Sequence, residues 1–118
     1  MKKLLPIMMF VLLVFAGCQR GTATYQMAES PREVVPNAEK FAEQVTKQSK
    51  HYKAEDWQNT IEQFVAMSKN YYEFKPSMSL EEQMKFDEAR MQFMSAIATN
   101  GNEDLVSQVK QEYGKIFQ

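Results

Sequence analysis

From Ser30 to the end of the chain the large apolar side chains recur every three or four residues, the spacing of a helix face. Nowhere do apolar and polar positions alternate long enough to make a strand, and glycine is absent between Thr22 and Asn100. The pattern predicts four helices and no internal repeat. The first opens at Ser30-Pro31-Arg32-Glu33, where serine, a proline in the first helical position and a glutamate three residues on make a capping box. Pro36 is expected to interrupt or kink it; it resumes through Phe41, Ala42, Val45 and, near its end, Tyr52. Gln48 and Ser49 dilute the stripe, making this the weakest helix of the set.

The second helix runs from about Ala54 to Phe74, with Trp57, Ile61, Phe64, Val65, Ser68, Tyr71 and Tyr72 on one face. Glu55 and Asp56 fill its first turn, where the helix dipole favours negative charge, and Lys75-Pro76 ends it. The third begins at a second capping box, Ser79-Leu80-Glu81-Glu82, and ends at Asn100-Gly101, read as a left-handed C-cap. Its apolar positions form two adjacent stripes. Leu80, Met84, Met91, Met94 and Ala98 make one; Phe86, Phe93 and Ile97 make the other. Glu81, Lys85, Glu88, Gln92 and Ser95 are left for water. So wide an arc is expected to touch two neighbours, which places this helix centrally. The fourth starts at Asn102 with Glu103 and Asp104 in its first turn, and its face is Leu105, Val106, Val109, Tyr113, Ile116 and Phe117; Gly114 weakens its last turn. The fold class is all-α, a small up-and-down bundle of three to four helices spanning residues 33–118.

Ahead of the bundle the composition changes twice. Met1-Lys2-Lys3 precedes an apolar run, Leu4 to Gly17, of about 14 residues, where a spanning helix needs roughly 20. A positive start, a short apolar run and small residues at its end describe an export signal over residues 1–17. Phe15-Ala16-Gly17-Cys18 resembles the lipobox of bacterial lipoproteins, in which an aliphatic and two small residues precede the cysteine that receives the lipid; Phe15 stands where leucine is commonest. The resemblance implies cleavage before Cys18 and a diacylglycerol thioether on its sulfur, with an added acyl chain such as palmitate. Two or three chains together make attachment stable where one would not. Cys18 is the sole cysteine, so no internal disulfide forms. Gln19 follows it, in place of the aspartate that retains enteric lipoproteins in the inner membrane, which points to an outer membrane facing the periplasm if the source is Gram-negative. From Cys18 to Arg32 the chain turns to Gly, Thr, Ser, Gln and Pro and reads as a flexible tether with a reach of roughly 20 Å. Tyr25 and Met27 stand alone there and read as solvated.

Charge and chemistry remove several functional classes. The full chain carries a net charge of -1, and no basic stripe offers the phosphate-neutralising face that nucleic acid requires. His51 is the only histidine and lies at the polar end of the first helix, between Lys50 and Tyr52, which leaves any Ser-His-Asp arrangement without support. Zinc needs three or four ligands in one place, and Cys18 is taken by lipid. The acidic pairs Glu55-Asp56, Glu81-Glu82 and Glu103-Asp104 sit in first turns, where the dipole accounts for them. Thioethers of Met84, Met91 and Met94 suit copper(I), but a spacing of seven and three is that of a core stripe. No metal, no cofactor and no enzymatic activity is expected.

Arg90 falls between the two apolar stripes of the third helix, where a charge needs a partner. Asp87 on the previous turn supplies one, and a ligand contact in a groove is the alternative. Trp57, Tyr71 and Tyr72 are either core or a surface for partners, and Tyr71 and Tyr72 cannot both point inward. Tyr52-Lys53-Ala54-Glu55-Asp56-Trp57, followed by Phe64 and Tyr71, is similar to a helix start in small helical domains of other bacterial lipoproteins of unknown function. That resemblance implies a fold and a location and carries no activity. The expected role is a membrane-tethered binding or scaffolding module of the cell envelope, held by its lipid and meeting an envelope protein or a second copy of itself. The competing reading is a carrier of a small apolar ligand in a closed pocket near Met84, Met91, Phe93 and Met94.

Overall fold

The structure, a computed structural model, describes residues 22–116. The expected signal segment, Cys18 and Phe117 lie outside the described residues. Four helices are present, with no strand among the described residues: α1 (Pro31–Gln48), α2 (Ala54–Phe74), α3 (Leu80–Asn100) and α4 (Glu103–Ile116). Short 3-10 turns, Ser49–His51 and Lys75–Ser77, follow α1 and α2. The all-helical bundle expected from the periodicity is the one formed.

Capping explains where the helices begin. The amide of Glu82 donates to Ser79 Oγ at 3.1 Å while the Ser79 amide donates to Glu82 Oε1 at 2.8 Å, completing a capping box at α3. Asn102 Oδ1 accepts from the Leu105 amide at 2.9 Å and opens α4. At α1 the box slips by one residue. Ser30 makes no side-chain cap, and Glu33 Oε1 instead accepts from the Glu29 amide at 2.8 Å. Pro36 does not interrupt α1, which runs through it unbroken. The proline is exposed on the second turn, where its missing N–H forfeits a single bond to the Arg32 carbonyl. Tyr52 lies beyond α1, after the first 3-10 turn. Gly101 departs from the left-handed C-cap expected of it, since its φ is -100°.

The helices are arranged in the ring order α1, α3, α4, α2, so the link from α2 to α3 crosses the bundle. Paired side chains fix the directions. Gln92 Nε2 donates to Thr46 Oγ1 and Asn100 Nδ2 to Ser49 Oγ, so α1 and α3 run side by side in the same sense. The Gln58–Gln108 amide pair and the Phe64–Tyr113 rings set α2 and α4 the same way. Alanines explain why α1 and α3 form the most extensive contact: Ala38 and Ala42 on one, Ala89 and Ala96 on the other, all buried, let the two backbones approach. Far from being the weakest element, α1 buries Val34, Val35, Ala38, Phe41, Ala42 and Val45. Across the interior α2 and α3 meet through rings, with Phe64 on Phe93 at 4.4 Å and Tyr71 on Phe86 at 3.8 Å between centroids.

A fifth element comes from the segment expected to be a free tether. Residues 22–28 form an extended strap beside α2, with Ala23, Tyr25 and Ala28 buried and Met27 exposed. Tyr25 is therefore not solvated, as expected from its isolation, but 4 % exposed and edge-on to Phe41.

Candidate functional site

Two features beyond the core organise the surface: the clasp that holds the strap, and the outer side of α3 with the cleft beside it.

The clasp is built from α2. Asn70, 2 % exposed, accepts from the Tyr25 hydroxyl at 2.6 Å and the Ala28 amide at 2.8 Å, and donates to the Ala28 carbonyl at 3.3 Å. One turn pair earlier, Gln63 Oε1 accepts from the Tyr25 amide at 2.9 Å, and the Tyr52 hydroxyl accepts from the Ala23 amide at 3.0 Å. These contacts climb α2 in the order Tyr52, Gln63, Asn70, so the strap runs in the same direction as that helix. Backbone groups with no ladder of their own are thus satisfied by side chains. Burial pushes the Tyr25 hydroxyl up to about 12 from 10.0, because the phenolate would lose its water there. Sequence periodicity assigned none of these roles. The available signals were a polar Asn70 beside a core stripe, and Ala23, Tyr25 and Ala28 as apolar positions in a polar stretch.

On α3 the two stripes part company. Phe86, Phe93 and Ile97 are buried with Ala89 and Ala96, whereas Leu80, Met84 and Met91 are 73 %, 59 % and 57 % exposed. At 100° per residue these three fall within a narrow arc facing solvent, with Asp87 between Met84 and Met91. Beside it, between α3 and α4, Phe64, Arg90, Met91, Met94, Val109, Lys110 and Tyr113 line an open, mostly apolar cleft of about 190 Å³. The closed methionine pocket required of a ligand carrier is not what the described residues form: Phe93 is packed between rings, and Met84 and Met91 face outward.

Arg90 takes the partner expected of it. Its Nε lies 3.7 Å from Asp87 Oδ1, an ion pair too long to be a hydrogen bond, and its guanidinium sits 5.1 Å from the centre of the Tyr113 ring. Burial raises the Tyr113 and Tyr71 hydroxyls above the usual tyrosine value, with the Asp87 charge adding to the rise and the Arg90 charge opposing it. Of the aromatic candidates for a partner surface, two are withdrawn. Trp57 is 3 % exposed with its ring against Tyr52, and Tyr71 is 4 % exposed on Phe86, because both fall on the inward arc of α2. Tyr72 is the one at the surface, 50 % exposed.

His51 is exposed on the turn after α1. The acidic pairs serve local structure. Asp56 Oδ2 accepts from the Lys53 amide, Glu82 closes the α3 cap and Asp87 faces Arg90. Among the described residues no group of three or more His, Cys, Asp or Glu side chains could hold a metal ion. No helix of the described residues is long and apolar enough to cross a membrane.

Comparison with known proteins gives one finding. A family model described as a domain of unknown function (DUF6565) matches residues 45–118, which takes in the last turn of α1 and all of α2, α3 and α4. No curated protein and no solved structure matches the chain.

Proposed function

This chain belongs to the DUF6565 family, a domain of unknown function, and we propose, from its own residues, that it is a lipid-anchored, non-catalytic binding module of the cell envelope. The anchor is Cys18, read from the lipobox-like Phe15-Ala16-Gly17-Cys18 behind a positive start and an apolar run. The surface that carries the binding reading is the solvent-facing arc of Leu80, Met84 and Met91 on α3. Large apolar groups exposed together on a monomer are the usual mark of a contact with another protein. Methionine suits such a surface, since its unbranched side chain repacks against differently shaped partners. The partner is an envelope protein, or a second copy of this chain. An outer-membrane location facing the periplasm follows if the source is Gram-negative.

The test is crosslinking of the lipidated protein in its native envelope, beside Cys18→Ala and the double variant Met84→Lys, Met91→Lys. One discrete crosslinked partner is expected, lost in both variants although the double variant stays folded and lipidated. Retention of the same partner by the double variant would remove α3 from the interface, and the absence of any partner would overturn the module reading.

A further inference from the structure

The strap changes what an anchor at Cys18 would do. A free segment as far as Arg32 would let the bundle tumble at a distance from the lipid, with no preferred face toward it. The chain instead becomes part of the packed body at Ala23, whose amide is tied to Tyr52. Only Gln19, Arg20, Gly21 and Thr22 separate that point from Cys18. Even fully extended, this leash holds the two Cα atoms within about 18 Å, well under the 44 Å long dimension of the molecule. The leash also leaves from one end. Ala23 is fastened where α1 gives way to α2, the same end at which Asn100 of α3 bonds to Ser49. The other end of the strap is fastened by Asn70, well up α2.

We infer that the lipid bilayer is the partner of this end of the bundle, and that the strap holds the Ser49–Lys53 turn and the α3–α4 corner against the headgroups. The inference rests on the anchor reading above and deepens it from attachment to orientation. That end carries side chains that can reach the headgroups. Lys50 and Lys53 are exposed there on long stems that can reach phosphates, beside the exposed His51 and the Glu43-paired Lys47. The carboxylates of the same region are Glu43, paired with Lys47 at 3.5 Å, Asp56, which accepts from the Lys53 amide, and Glu55, Glu103 and Asp104, exposed in the first turns of α2 and α4. The carboxylates outnumber the lysines at this end, so it is the short leash and not charge that sets the contact. With this end down, the Leu80 end of α3 stands furthest from the lipid, where a partner can reach it.

The test uses the lipidated full-length chain in vesicles of phosphatidylethanolamine and phosphatidylglycerol carrying an energy acceptor on their headgroups. Lipid blocks the native cysteine, so Lys50→Cys and Glu73→Cys each offer a single thiol for a donor dye. The two positions lie on the order of 30 Å apart along α2. Transfer at least about twofold stronger from position 50 is expected, given that separation. A flexible Gly/Ser insertion after Gly21 is expected to abolish the difference while leaving the fold and the lipid in place. Equal or reversed transfer from a chain shown by mass to carry its lipid overturns the orientation alone. A chain whose Cys18 carries no lipid overturns the anchor reading and the orientation with it.

Discussion

A methyl group added at Gly101 would lie 2.6 Å from the Ile97 carbonyl oxygen and 3.1 Å from Leu105 Cδ1. The φ there, -100°, lies outside the left-handed region, and what the position visibly demands is space between α3 and α4. At Gly114, inside α4, an added methyl meets nothing within 4 Å. The two glycines should therefore respond to alanine with opposite signs. Gly101→Ala is expected to cost about 1–3 kcal/mol through forced displacement, and Gly114→Ala to gain about 0.5–1 kcal/mol of helix propensity; urea unfolding of both variants measures the pair. Tyr25 gives a residue-level handle on pH. Its hydroxyl ionises near 12 in the fold and at 10.0 when exposed, so between those values the unfolded chain has given up a proton that the folded chain keeps. The stabilisation is complete below pH 10 and is lost as the pH rises toward 12. Tyr25→Phe should be slightly less stable at neutral pH, by about 1 kcal/mol for the lost bond to Asn70, and its stability should fall less steeply through this alkaline range. Urea midpoints that fall in parallel for the two proteins would exclude Tyr25 as the group responsible.

Among the elements, the strap depends most on a single side chain. Removing the Asn70 amide takes away three hydrogen bonds and leaves the Ala28 amide and carbonyl without partners. Asn70→Ala is expected to cost about 2–4 kcal/mol, against a few tenths for the exposed neighbour Lys69→Ala. Hydrogen exchange should show the amides of Ala23, Tyr25 and Ala28 losing protection before those of α3. The helices themselves were largely legible in the sequence. The spans of α2 and α3 follow from their caps, Asp56 and Ser79-Glu82, and from the turn at Lys75-Pro76, because those signals act within a few residues. The strap was not legible, because what orders Tyr25 is an asparagine 45 positions away. Nor did periodicity decide which stripe of α3 goes inside. Both stripes are apolar, and the choice is made by Ala89 and Ala96, whose small side chains admit α1 beside Phe86 and Phe93. The candidate site was half readable for the same reason. Asp87 beside Arg90 is a local pairing and was expected, while the exposure of Met84 and Met91 depends on where α1 packs.

Across the whole molecule a line of rings passes through every element. It runs from Tyr25 of the strap to Phe41 of α1, then to Phe93 of α3, Phe64 of α2 and Tyr113 of α4, with centroid separations between 4.4 and 6.3 Å. Phe41, Phe93 and Phe64 each lie between two rings that come from distant parts of the chain, with Phe93 at the centre. Such a line has no natural breaking point. Opening any one helix exposes a ring on the next. Once the strap has opened, the four helices are then expected to unfold in a single cooperative step, with no stable halfway house in which one helix waits, ordered, for the others to arrive.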